Sequence, residues 1–290
     1  MTLSAYATDR SPKLLPSIVA YLDLLGFSEQ IRASHVAGES DALLQRFAAV
    51  IREWYRSLRG DRISKDADRR DWDLKAFTDN VVLGHPTRSD GESELGHIMS
   101  DVALLQIGLA HEGFFVRGGI AVGDLYMDED IVFGVGLLEA HQAEQSAVTP
   151  RVVLSESAVQ LVKQHLEYYA SVESAPHNDD LLFDEDNRLF VNYLSCSWPQ
   201  HTEPPLFDWL TKHRDIVASE LQRHRAEPRV WAKYSWVARY HNYSCESIPG
   251  GTPHKVDVSL ADLEPKRLQD VIQEKRRPNR RLHPSAPPQL

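Results

Sequence analysis

Two acidic residues stand at chain reversals that follow strand-like runs. One is Asp23 in Ala20-Tyr21-Leu22-Asp23-Leu24-Leu25-Gly26-Phe27-Ser28, and the other is Asp79 in Lys75-Ala76-Phe77-Thr78-Asp79-Asn80. Singly, such a carboxylate usually caps its own turn. Brought together, two of them form the hard-oxygen set that Mg²⁺ and Mn²⁺ prefer, completed by substrate phosphates and water. A pair of ions held this way can activate an attacking hydroxyl and neutralise a departing pyrophosphate in an in-line displacement. Gly26 adds a place where backbone can approach a phosphate closely.

The elements that must position these residues follow from hydrophobic periodicity. Residues 17–22 form a short apolar run that ends at Asp23 and Gly26, which reads as a buried strand and a tight turn. Over residues 41–58, Leu43, Leu44, Phe47, Val50, Ile51, Trp54 and Leu58 recur at helical spacing behind Ser40 as N-cap. A charged loop over 61–72 leads to a strand over 73–77, a reversal at Asp79-Asn80 and a strand over 81–83, a hairpin pattern. Residues 94–111 predict a second amphipathic helix ending near Gly113, and 114–122 a strand. The order β-α-β-β-α-β is that of a ferredoxin-like α+β domain. In this topology the first and second strands run the same way with the third between them, so Asp23 and Asp79 fall on one edge.

Further along, strands are expected over 131–134, 151–154, 181–183 and 189–194, with helices over 137–146 and 155–169. Residues 206–225 and 230–243 read as two more helices, the second rich in aromatics that suit core packing. From Pro249 onward, prolines and charges predict a mostly disordered tail with a short helix around 260–275. The domain scheme is an N-terminal tail (1–13), a main domain (14–200), a helical extension (201–248) and the tail (249–290).

Composition narrows the function classes. The chain has 290 residues, 42% hydrophobic, with a formal net charge of -10. That size supports a full core, and the acidic balance argues against a nucleic-acid binder. Cys196 and Cys245, the 2 cysteines, form neither a disulfide framework nor a metal knuckle. No segment approaches the ~20 apolar residues of a membrane span, and Met1 to Pro16 lacks an apolar signal core. The expectation is a soluble, cytoplasmic protein. The 13 histidines are scattered without HExxH spacing, and no Ser-His-Asp or Cys-His pattern stands out.

With these residues in view, the chain resembles the class III nucleotide cyclases, and within them the Pycsar pyrimidine cyclases of bacterial antiphage defence. The resemblance spans approximately Leu15 to Ser155. Residues 21–28 are similar to the first metal motif and 77–80 to the second. Phe115-Val116-Arg117-Gly118-Gly119-Ile120-Ala121-Val122-Gly123 is similar to the Arg-bearing strand, and residues 133–140 to the segment after it. Ala232-Lys233-Tyr234-Ser235-Trp236 and Tyr240-His241-Asn242 also look like that subgroup.

The resemblance implies that Asp23 and Asp79, with the Leu24 carbonyl, bind two Mn²⁺ or Mg²⁺ ions. It further implies that Leu25, Gly26, Phe27 and Ser28 border a triphosphate, that Lys75 lies near the base, and that Arg117 contacts phosphates. The implied reaction converts UTP into 3′,5′-cyclic UMP and pyrophosphate, in a homodimer whose product acts on a separate effector. Alternatives are a cytidylate cyclase using CTP, and a catalytically silent nucleotide-binding regulator. A diguanylate-type cyclase is disfavoured, because Gly118-Gly119 follows an arginine within a strand. One departure stands out: residues 137–142, Leu-Leu-Glu-Ala-His-Gln, hold no arginine where purine cyclases often place one. Arg117 and Arg151 are candidate substitutes, and Glu139, His141 and Glu144 read as solvated helix-face residues.

Overall fold

The computed structural model describes residues 4–6, 11–60, 71–169, 175–198, 204–258 and 265–276. The ferredoxin-like unit is β1 (Leu15–Leu24), α1 (Phe27–Ala37), α2 (Ser40–Gly60), β2 (Asp73–Phe77), β3 (Asn80–Pro86), α3 (Glu92–Ala110) and β4 (Val116–Met127). After it come β5 (Val132–Phe133), α4 (Val135–Ser146), β6 (Val152–Leu154), α5 (Glu156–Tyr168), β7 (Leu181–Phe183) and β8 (Leu189–Val191). The chain continues through α6 (Phe207–Arg223), α7 (Pro228–Ser247), β9 (Lys266–Arg267) and α8 (Leu268–Arg276).

One sheet carries the strands in the order β2-β3-β1-β4-β6-β8-β7-β9, with β5 paired to β4. Because β1 and β2 are each antiparallel to β3, they run in the same direction. The α+β, βαββαβ expectation is met.

The central strand β1 is covered on both faces, which explains why it reads as an almost continuous apolar run. Ile18, Ala20, Leu22 and Leu24 belong to the large core under α2 and α3. Val19 joins Val82, Ala121, Leu125 and Ala140 in a smaller core under α4. The seating of α4 depends on Gly119. A Cβ there would stand 2.2 Å from the Ala140 carbonyl oxygen and 2.6 Å from the Ala143 methyl. Any side chain at this position would therefore lift the helix off β4.

Several expectations need correction. α1 follows directly on Gly26, although its weakly patterned residues suggested only a turn. The hairpin turn is Thr78-Asp79, with Asn80 already in β3 and Thr78 at φ 51, a rare conformation for a β-branched residue. The strand expected over 189–194 stops at Val191, and Tyr193–Ser197 forms a 3₁₀ turn. The stretch beyond Pro249 is partly folded. Val256 is buried and exchanges hydrogen bonds with the Asn242 side chain, while β9 extends the sheet beside β7 and Leu268 enters the core. Residues 277–290 of that tail, and residues 61–70 of the charged loop, lie outside the described residues. Among the described residues no helix is long and apolar enough to cross a membrane.

Candidate active site

Side chains two apart on a strand share a face, so strand register fixes what meets α4. One row across the sheet is Phe77, Asn80, Asp23 and Arg117; the next is Lys75, Val82, Tyr21 and Gly119. Asp23 thus lies opposite Arg117 on β4 and Asn80 on β3. Asp79 is drawn in by the adjoining turn, where the Leu24 N–H donates to the Asp79 carbonyl at 2.8 Å.

The Asp79 carboxylate is held by local donors. It accepts from Thr78 Oγ1 at 2.9 Å, Asn80 Nδ2 at 2.9 Å and Ser28 Oγ at 3.4 Å. The Tyr21 hydroxyl donates to Asn80 Oδ1, so the second row braces the first. Leu25 N–H donates to the Phe115 carbonyl at 2.7 Å, and Gly26, at φ 66, turns the chain into α1. The Phe27 ring is buried 5.0 Å from that of Phe47 and 5.6 Å from that of Phe114. The ring anchors the turn, and the Phe27 backbone opens α1. The first N–H groups of α1 have no helical carbonyl to bond, as at every helix start.

Arg117 stands between two carboxylates. Its Nη2 lies 3.3 Å from Asp23 Oδ2, and its Nε lies 2.5 Å from Glu144 Oε1 on α4. Glu144 is 4% exposed, not solvated. Nor is His141 free, because its ring meets that of Tyr21 edge-on at 4.8 Å, while Glu139 accepts from Ser157 Oγ at 2.8 Å. Arg151 is also excluded from the site. Its buried guanidinium is gripped by Asp184 and Asp186 and faces Phe190 and Trp236, and Trp236 Nε1 donates to Asp184 at 2.9 Å. That cluster fastens α7 to the sheet.

The electrostatics reflect this crowding. Burial raises the Asp23 carboxyl above its ordinary range; Arg117 and Lys233 pull it back while Asp79 pushes it further up. Burial likewise raises Glu144, against Arg117 and with Asp23. Lys233, on α7, is lowered by burial and by Arg117, with Asp23 acting the other way. Glu144, paired with Arg117, and Lys233, whose charge acts on Asp23, are two groups at this edge that sequence reading missed. Glu144 had a faint signal, since it shares a helical stripe with Ala140, Ala143 and Ala147, all buried. Lys233 had only its place in the Pycsar-like segment.

Lys75 lies in the second row. With Tyr21, Phe77, Val82, Leu137 and His141 it lines a cavity of about 520 Å³ beside the carboxylates.

The described residues contain no cluster of three or more His, Cys, Asp or Glu side chains suited to a metal. Two carboxylates and a carbonyl nevertheless suit Mg²⁺ or Mn²⁺ where phosphate oxygens supply the remaining ligands. Asp23, Asp79 and the Leu24 carbonyl are the groups that would hold such ions.

No protein-family model matches the chain, and no curated protein matches it. Among solved structures it is similar to a class III adenylyl cyclase-like ATP-binding protein from Pseudomonas aeruginosa, with TM-score 0.40 and 14% identity over 57% of this chain and 41% of that one. It is also similar to the monomeric guanylyl cyclase domain of the RhoGC fusion protein from the aquatic fungus Blastocladiella emersonii. There the TM-score is 0.35 and the identity 10%, over 61% of this chain and 95% of that one. The chain thus spans 41% of the length of the first of these proteins.

Proposed function

We propose that this chain is a metal-dependent nucleotide cyclase that converts UTP into 3′,5′-cyclic UMP and pyrophosphate. One observation carries the reading: Asp23 and Asp79 converge at one sheet edge, beside Arg117 and next to a cavity lined by Lys75. In the reaction the ribose 3′-hydroxyl attacks the α-phosphorus and gives up its proton to water, while the bond from the α-phosphorus to the oxygen bridging the β-phosphorus breaks to release pyrophosphate. The substrate carries its own nucleophile, so no protein nucleophile is required. Two Mn²⁺ or Mg²⁺ ions would supply charge neutralisation at the attacking and leaving oxygens. Asp23 and Asp79 hold the oxygens for that charge, and the free N–H groups at the start of α1, with Ser28, face the phosphates.

The Lys75 ammonium is a donor only. It suits the O4 acceptor of uracil better than the amino group of cytosine, which makes CTP the second choice of substrate. Around the cavity, Phe77, Ile131, Phe133, Val135 and Leu138 are exposed. Such a surface suits a second copy of the chain, giving a homodimer with sites at the subunit interface. The cytoplasmic setting, the separate effector and the role in antiphage defence belong to the same reading and rest on the motif resemblance.

A second reading has its own observation. Arg117 already has two carboxylate partners, as in a silent regulator that binds nucleotide without turning it over. Incubating the purified protein with each of the four NTPs and Mn²⁺, with products identified by mass spectrometry, separates the readings. Cyclic UMP supports the first, cyclic CMP moves the substrate, and tight binding without product supports the regulator.

A further inference from the structure

A nucleoside triphosphate brings about four negative charges, and the Asp23 and Asp79 carboxylates add two more, which two divalent ions and an Arg117 already paired with carboxylates do not fully balance. Helix α4 carries no Lys or Arg in Val135–Ser146. Arg117 is divided between Asp23 and Glu144. Lys75 lies in the other row, along the cavity.

Among the described residues, Lys233 is the further cation whose charge reaches Asp23. It forms no ion pair with any described residue, is partly buried, and stands near enough to Asp23 and Arg117 for its charge to act on both. Its place is set by packing. The next residue, Tyr234, stacks edge-on against Phe115 with centroids 5.4 Å apart, and the Phe115 carbonyl accepts the Leu25 N–H at the phosphate-facing turn. Further along α7, Trp236 is tied to Asp184, and the Tyr240 hydroxyl donates to Asn192 Oδ1 at 2.7 Å. A partly buried ammonium without a counter-ion costs free energy, and an anion arriving beside it removes that cost.

We propose that Lys233 grips the outer phosphates of the bound triphosphate from the same protomer that supplies Asp23 and Asp79. It thereby provides the positive charge that α4 lacks. The inference rests on the nucleotide-cyclase reading and makes the helical extension part of the substrate site. A lysine acts on phosphate as a point charge without fixed fork geometry, so arginine should substitute for it in part.

The test is calorimetric titration of the full chain in Mn²⁺ with three probes: 3′-deoxy-UTP, which lacks the attacking hydroxyl, inorganic tripolyphosphate, and UMP. In Lys233→Ala and Lys233→Gln, both triphosphate probes should bind about 10- to 100-fold more weakly, as expected for a lost charged hydrogen bond. UMP binding should stay within about twofold of wild type, and Lys233→Arg should recover most of the loss. Equal weakening of all three probes, or triphosphate binding unchanged in Lys233→Ala while Asp79→Ala abolishes it, overturns the Lys233 assignment and leaves the cyclase reading standing. If neither triphosphate probe binds the wild-type chain, the cyclase reading itself fails and takes this proposal with it.

Discussion

Asp23 and Arg117 face each other across the β1–β4 ladder, with a guanidinium nitrogen 3.3 Å from a carboxylate oxygen. A metal at Asp23 shares the carboxylate with Arg117, through Oδ1 or by displacing the guanidinium from Oδ2. The arginine has somewhere to go, because Glu144 holds its other edge. Charge at this edge is therefore arranged in a chain, Asp79 to Asp23 to Arg117 to Glu144, and a cation at one end is felt along it.

Removing either Asp23 or Asp79 should disable the chemistry without unfolding the chain, since both carboxylates lie at the partly exposed sheet edge. We expect Asp23→Ala and Asp79→Ala to lower turnover by at least about 10²-fold while thermal melting stays close to wild type. Near-normal product formation in both folded variants rejects the metal assignment.

Glu144 is buried against a charge, so its loss should be felt in stability as well. Glu144→Ala is expected to cost ~1–3 kcal/mol, the order of a buried group losing a charged partner. Arg117→Met combined with Glu144→Ala should cost less than the two added together. Urea denaturation of the four proteins measures this, and strict additivity means that the pair does not interact.

Arg151 offers a contrast, a buried ion pair away from the site. Truncating it strands Asp184 and loosens α7, so Arg151→Ala should lose about 3–5 kcal/mol in stability. If α7 carries Lys233 to the phosphates, the same variant should also weaken binding of inorganic tripolyphosphate. A destabilised protein with unchanged affinity shows that the anchor and the site are independent.

Assembly has its own test. Phe133 and Leu138 are 64% and 61% exposed beside the cavity, so Phe133→Asp and Leu138→Asp should leave folded monomers with little activity, by sedimentation and product assay. Asp23 and Arg117 lie in one protomer, so mixing Asp23→Ala with Arg117→Ala should not restore turnover. Active monomers rule out a shared site.

The α+β order was legible because β1, α2, β2, β3, α3 and β4 each announce themselves through periodicity, and the topology alone then brings Asp23 to Asp79. Residues that act through packing were not legible. Glu144 looks like any helix-face carboxylate until Gly119 lets α4 lie flat on β4. Lys233 depends on aromatic contacts between elements far apart in the chain. The order in β9 and α8 was hidden for a related reason. A two-residue strand has no period of its own, and only the waiting edge of β7 gives it one. Accordingly, a chain ending at residue 249 should be markedly less stable than one ending at residue 276, by urea midpoint. Equal midpoints show that the packed segment adds nothing.

Acid should unfold this protein through its buried histidines. His213 Nδ1 lies 3.0 Å from His241 Nδ1, and His241 in turn reaches the His254 carbonyl at 2.9 Å, with the Tyr193 hydroxyl 2.9 Å from His213. No carboxylate faces this ladder in those contacts. Burial lowers His241 to about 4, and His213 well below the ordinary histidine value of 6.5. His177, 3.3 Å from His165, is likewise lowered by burial to about 4. In each case the unfolded chain binds a proton that the native state refuses, so stability must rise with pH between about 4 and 6.5 and level off above it. Each histidine contributes a slope of up to about 1.4 kcal/mol per pH unit in that window. Asp180, raised by burial from 3.8 to about 6, acts in the opposite sense and offsets roughly one of the three. Asp23 and Glu144, also raised, weaken the slope further. Urea midpoints measured from pH 4 to pH 8 should therefore climb to about pH 6.5 and then flatten, and His241→Gln should reduce the climb. A midpoint that is flat across the window, or a His241→Gln profile parallel to wild type, means that the ladder takes up its proton without unfolding.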